Sequence, residues 1–182
     1  MSRTGYAKAT VADIAKAANV SRALVHHHFA GKHEVLVAAI ERLASAAQAR
    51  LTAHLLQAKD DPHDRLRAFV DSYVGLGSGA DPKLVAAWVV VGTEALRDPE
   101  VRALYREVIV SGHQSATALV EARLRAEGRS TENAVEIGAA IIAFVEGAFR
   151  VATTVPRTFR PGFAAPMLYR MIDGLIAAER CT

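Results

Sequence analysis

A single cysteine, Cys181, occurs in the sequence, next to its C-terminus. No intrachain disulfide can form, so the fold must hold without cross-links, and a reducing cytoplasmic setting is expected. Long apolar runs are missing too. The two richest, "LVAAWVVVG" (Leu84 to Gly92) and "IGAAIIAFVEGAF" (Ile137 to Phe149), fall short of the ~20 apolar residues that span a bilayer. They read as buried core helices, and no membrane partner is expected. The opening "MSRTGYAKAT" has no apolar h-region, so no signal peptide is expected. Strand-like alternation is not evident, and aromatic residues make up only 6%. Ala, Leu and Val abound instead, within an apolar share of 51% that suffices for a core. That mix favours helices packed through small and aliphatic side chains.

Catalytic signatures are absent as well. There is no G-x-S-x-G elbow, no Gly-rich phosphate loop, and the one thiol is terminal. An enzyme is not expected, and neither a catalytic residue nor a cofactor is assigned.

What is present is an uneven charge. Residues 1–33 carry five basic residues against Asp13 alone, a net of +4, while the rest holds 17 basic and 18 acidic residues. A basic head on a near-neutral body points to a polyanion partner, or to a plain solvated segment. At 182 residues the chain is one modest domain, or a small module fused to a larger one.

Helix punctuation is frequent. Thr10 with Asp13 resembles a capping box, and Ser21 can cap the next helix. Asp61-Pro62, Asp81-Pro82 and Asp98-Pro99 combine an N-cap with Pro at the first helical position, where its missing N–H costs nothing. Gly75, Gly77 and Gly79 break the chain, Gly128 ends a helix, and Ser130 or Thr131 opens the next. The reading is all-α, with helices near residues 10–18, 22–29, 32–58, 62–76, 82–96, 99–127, 131–154 and 164–179.

Val11, Ile14, Ala15 and Ala18 form the buried stripe of a first short helix. Asn19 stands where a left-handed residue would end it, and Val20 fills the corner. In the next helix, "RALVHHHF", Val25 and Phe29 face inward. At about 100° per residue, Ala23 and His27 point away from them, with His26 and His28 on the flanks. Three consecutive histidines therefore diverge and cannot chelate one metal. Zinc on a helix wants ligands three or four apart, and no such pair exists among His26, His27, His28 and His33, so no metal site is assigned.

Two short helices and a turn make a helix-turn-helix, whose second helix enters the DNA major groove. Arg22 suits guanine O6 and N7, Ala23 allows close approach, and Leu24 suits a thymine methyl. His26, His27 and His28 can donate to phosphates or base edges, and Lys32 suits a phosphate. The backbone N–H groups beside Thr10 suit another.

"TVADIAKAANVSRALVHHHFAGKHEVLVAAI", Thr10 to Ile40, resembles the DNA-binding signature of TetR-family transcriptional regulators. The matching positions are Thr10, Ile14, Ala15, Ala18, Val20, Ser21, His28, Phe29 and Lys32. The resemblance implies phosphate contacts from Thr10, His28 and Lys32, and groove contacts from Arg22, Ala23, Leu24 and His27. His26 replaces a usual Tyr, and Asn19 a usual Gly. Only four residues precede Gly5-Tyr6, so the first helix of the family's three-helix head is expected to be missing. A misassigned start, a truncation or a true variant would each account for that.

Residues 32–182 resemble, more loosely, the C-terminal domain of TetR regulators related to the choline-responsive repressors of betaine synthesis. The segments that carry this are "AAWVVVGTEALRDPEVRALYREV" and "AAIIAFVEGAFRVATT". The resemblance implies a ligand cavity and a dimeric bundle of the last two helices. A small-molecule effector and a homodimer are therefore expected partners, with double-stranded DNA the third. Cavity candidates are Phe69, Tyr73, Trp88, Val91, Gly92, Tyr105, His113 and Phe144, each also readable as plain core. Glu94 and Glu146 are candidates for a cationic ligand, or for pairing with Arg97 and Arg150. No aromatic cage is identifiable, so choline itself is not carried over. Dimer candidates are Ala139, Ala143, Gly147, Leu168, Ile172 and Leu175, on two apolar helices. The domains read as 1–40, a truncated DNA-binding head, and 41–182, a ligand-binding and dimerisation body. The chain then reads as a one-component repressor on palindromic operators. The alternative is a dimeric small-molecule-binding protein with a DNA-incompetent head.

Overall fold

The computed structural model describes residue 6, residues 9–74 and residues 82–182. Among the described residues the order is α1 (Val11–Ala18), α2 (Arg22–His28), α3 (Lys32–Gln57), α4 (Pro62–Val74), α5 (Pro82–Glu94), α6 (Pro99–Ala126), α7 (Ala134–Thr154) and α8 (Ala164–Ala178). None of these helices is long and apolar enough to cross a membrane.

The helix starts follow from local hydrogen bonding. Thr10 and Asp13 form a reciprocal capping box, each side chain taking up the other's backbone N–H. Asn19 adopts φ 56°, the left-handed cap that lets the chain turn sharply into α2. Ser21 Oγ accepts from Leu24 N at 3.1 Å. Asp98 Oδ1 accepts from Glu100 N and Val101 N, with Pro99 in the first turn of α6. One start moves: α7 opens at Ala134 rather than 131, because Thr131 to Ala134 form a turn in which Ala134 N donates to Thr131 O at 3.1 Å. Phe29 is the extended cap of α2, not part of it. The breaks at Gly75, Gly77 and Gly79 and the Asp81 cap lie outside the described residues, as does a first helix or its absence before Tyr6.

The main core gathers α4, α6, α7 and α8 around Phe69, Val70, Val120, Leu124, Ile141 and Ile176, with Leu51 of α3 joining. Each fully buried aliphatic or Phe side chain there is worth about 1.5–3 kcal/mol. The α6–α7 crossing depends on Gly138, where an added Cβ would stand 2.5 Å from Thr117 Oγ1 and 3.1 Å from Thr117 N. A second core joins Tyr6 to Leu36 and Ile40 of α3, Val91 of α5, Ala95, and Val101 of α6. Helix α3 therefore runs unbroken past residue 40, from the second core to the first.

Amphipathic α8 turns Leu168, Ile172 and Ile176 into the chain's own core, at 1%, 3% and 0% exposure. This corrects the expectation that Leu168 and Ile172 face a partner: the body uses that face itself. Met167, Met171 and Leu175 form the exposed stripe, and Ala139, Ala143 and Gly147 of α7 are exposed.

Candidate functional site

Helix α2 presents an almost fully exposed surface. Arg22, Ala23, Leu24, His26, His27 and His28 are all exposed, and Val25 alone is buried. Arg22 Nε lies 3.4 Å from His26 Nε2, one turn on, while the His27 and His28 rings meet edge to face at 5.0 Å. Among the described residues, metal-ligand atoms gather only at Asp61, His63 and Asp64. That cluster has a local cause, since Asp61 Oδ2 accepts from Asp64 N at the start of α4. Val20, expected in the corner, is 39% exposed, and Leu24 is 45% exposed. Thr10 is exposed but its hydroxyl bonds Asp13 at 2.7 Å.

Lys32 packs against Tyr6. Its ammonium donates to Tyr6 O at 3.4 Å and sits 4.9 Å over the Tyr6 ring. Next to it, His33 Nδ1 stands 3.2 Å from Asp98 and Nε2 2.8 Å from Glu100. The Glu100 hydrogen bond, with help from Asp98, Glu100 and Glu34 charge, raises the His33 pKa against a smaller burial effect. Arg102 closes the joint by donating to Ala95 O at 2.8 Å and Leu96 O at 3.0 Å. Burial, then Asp98 and Glu94, pushes the Tyr6 phenol up. In the sequence Lys32 reads as a phosphate contact, Asp98 as a helix cap and His33 as a histidine without a metal-spaced partner; Glu100 and Arg102 were not singled out.

A cavity of about 270 Å³ opens among α3, α4, α5, α6 and α7. Its walls are apolar, from Leu43, Val85, Ile109, Ile142, Val145 and Phe149, with Tyr73, Trp88, Arg50 and Glu146 supplying polar groups. Trp88 Nε1 donates to Glu146 Oε1 at 2.9 Å, and the Tyr105 hydroxyl donates to Oε2 at 2.6 Å. The two rings lie 5.0 Å apart, tilted by 31°. Burial, and then the bond to Glu146, holds the Tyr105 phenol far above its ordinary range, so it stays a donor. Burial also pulls the Arg50 guanidinium down.

Of the eight cavity candidates, Tyr73 and Trp88 line the space. Tyr105 stands behind Glu146, and Gly92 packs against the Tyr105 hydroxyl, 3.3 Å from where a Cβ would be. Phe69 is core at 0% exposure, and Phe144 packs against the same core. Val91 belongs to the second core. His113 Nε2 meets Val135 O at 3.0 Å, binding α6 to α7. Phe69, Val91, Gly92, Tyr105, His113 and Phe144 are therefore corrected to supporting positions. Glu94 pairs loosely with Arg97, at 3.7 Å. Glu146 makes no ion pair among the described residues. Arg50, Ala46 and Ala47 were missed. Their spacing from Leu43 (i, i+3, i+4, i+7) is a helix face, but Arg50 reads as a solvated charge.

Comparison with known proteins gives two family matches. Residues 1–39 match "Bacterial regulatory proteins, tetR family", and residues 62–177 match "BetI-type transcriptional repressor, C-terminal". The chain is 33% identical over 133 residues to the HTH-type transcriptional regulator BetI of Rhizobium meliloti (strain 1021), covering 73% of this chain and 64% of that protein. The Agrobacterium fabrum regulator of the same name is 37% identical over 101 residues, 55% of this chain and 48% of that protein. The chain thus spans less than two thirds of these curated relatives. Among solved structures, a putative transcriptional regulator from Pseudomonas aeruginosa PAO1 superposes with a TM-score of 0.80 at 21% identity, covering 96% and 83% of the two chains. One from Saccharomonospora viridis, in complex with choline, gives 0.79 at 23%, covering 97% and 88%. At such identities these structures speak for the fold.

Proposed function

Because the chain belongs to the TetR family of bacterial regulatory proteins, with a BetI-type repressor C-terminal domain, we propose that it is a ligand-responsive transcriptional repressor. It binds palindromic operator DNA as a homodimer and releases it when a small molecule enters the cavity. The observation that carries this reading is the course of α3. One helix holds Lys32 beside the recognition helix and Arg50 in the cavity wall.

The head takes residues 1–40 and the body 41–182. Helix α2 lies in the major groove, with Arg22, Ala23, Leu24 and His27 at base edges and Thr10, His26, His28 and Lys32 toward phosphates. The exposed faces of α7 and α8, with Ala139, Ala143, Gly147, Met171 and Leu175, pair about a twofold axis. That sets two recognition helices about one DNA turn apart.

The effector carries a cationic group. Glu146 supports this, as a carboxylate held by two neutral donors with the rings of Tyr73, Trp88 and Phe149 around the same cavity. The choline-bound Saccharomonospora neighbour points the same way. Ligand contact at Trp88 is felt at the joint, because Trp88 and Tyr105 also pack against the second core. Only differential affinity between the two spacings of the dimer can drive release.

The test is selection from a random duplex library by the full chain, with sedimentation to read its assembly. A folded dimer that enriches an inverted repeat supports the proposal. A folded dimer that enriches nothing at low salt identifies a ligand-binding protein with a DNA-incompetent head.

A further inference from the structure

We infer that the cavity selects a small zwitterion, with its cationic end at Glu146 and a carboxylate at Arg50. This rests on the cavity being the effector site, as proposed above, and adds the sign and number of charges that the effector carries.

Two charged side chains line the cavity, Arg50 from α3 and Glu146 from α7. They do not pair with each other. Glu146 is held by Trp88 and Tyr105. The Arg50 Nε is buried and has no hydrogen-bond partner. No carboxylate or carbonyl among the described residues accepts from that guanidinium. A buried donor without a partner is costly, because it has left water and gained nothing in return. Guanidinium is a planar fork suited to a carboxylate, and a charge-assisted bond of that kind is stronger than a neutral one.

Tyr73 lies within electrostatic reach of both charges and lines the cavity with them. The wall is otherwise aliphatic, from Val85, Ile109, Ile142 and Val145. A cation alone would answer Glu146 and leave Arg50 unpaired. An anion alone would answer Arg50 and share the cavity with the Glu146 carboxylate. A molecule with both signs on a short apolar spacer answers both. A second cavity between α3 and α6, with Gln48, Glu107 and Ser111 in its lining, shares Tyr73 and Gly112 with the first.

Trp88 is the sole tryptophan, and its indole is bonded to Glu146, so its fluorescence reads occupancy. The full chain is titrated with choline, with butyrate, and with trimethylammonio carboxylates having one, two or three methylenes between the charges. At least one zwitterion is expected to bind about tenfold or more tighter than choline and butyrate, with one spacer preferred. Arg50→Gln should bring that zwitterion down to the choline level, while Arg50→Lys restores part of the gain. Equal or tighter binding of choline, or a zwitterion preference that survives Arg50→Gln, overturns the inference. The wild-type series stands even if a variant fails to fold. Zwitterion binding that leaves DNA affinity untouched sinks the effector reading alone, whereas choline-only binding that releases DNA sinks the inference alone.

Discussion

Trp88 and Glu146, 58 residues apart in sequence, are joined by a 2.9 Å hydrogen bond that ties α5 to α7 across the cavity wall. Tyr105 completes the arrangement from α6. Both donors are neutral, so no protein cation is paired with this carboxylate among the described residues. Glu146→Gln preserves shape and removes that charge. Choline affinity should fall by about 1.5–3 kcal/mol, with unchanged helicity by circular dichroism. Unchanged affinity in a folded variant would mean that the cation sits elsewhere.

His33 makes the head–body joint sensitive to pH. Its folded pKa is raised above the ordinary 6.5, by the Glu100 bond first. The sign follows from proton binding: the folded state holds the proton more tightly, so the contribution is complete below about 6.5 and is lost as pH rises through the raised value. His33→Gln should lower the melting temperature at pH 5.5, and the two proteins should converge as pH rises through the raised pKa. The effect is small, since the pair is exposed. A difference that does not vary with pH would remove His33 from the joint.

Gly138 holds the α6–α7 crossing closed. Gly138→Ala should destabilise by about 1–3 kcal/mol in denaturant melts, because the new methyl meets Thr117 on side chain and backbone. Thr117→Ala should recover part of the loss, since Thr117 Oγ1 is buried without a partner and is the nearest atom. The backbone contacts at 3.1 and 3.2 Å prevent full recovery. A neutral Gly138→Ala would show that the helices can part freely.

Arg22 is the base reader in this account. Arg22→Ala should cost about 1–3 kcal/mol on the selected operator and relax one base position. An equal loss on every sequence would make Arg22 a phosphate contact instead.

The helix ends were legible in the sequence because their causes are local. A capping box such as Thr10–Asp13, a left-handed Asn19 and an Asp98-Pro99 pair each act within one turn. The exposed face of α2 was legible for the same reason, since two steps of about 100° put His27 opposite Val25. The cavity was less legible, because it depends on which helices cross. Phe69 and Tyr73 lie one turn apart on α4 and their rings meet, yet only Tyr73 reaches the open space. Arg50 reads as an ordinary surface charge until Tyr73 is brought against it from another helix. Amphipathic α8 posed a different ambiguity. An apolar stripe does not say whether the body or a partner covers it, and here Leu168 and Ile172 serve the body while Met171 and Leu175 remain outside.

The most direct measurement is the affinity of the full chain for its selected inverted repeat, read by fluorescence anisotropy as choline and then the preferred zwitterion are added. The predicted result is a Kd weakened by about 5–150-fold at saturation, the usual range of coupling between two sites. Glu146→Gln should raise the ligand concentration needed without changing the ligand-free Kd. An operator affinity that stays constant while Trp88 fluorescence reports a filled cavity would contradict the central claim.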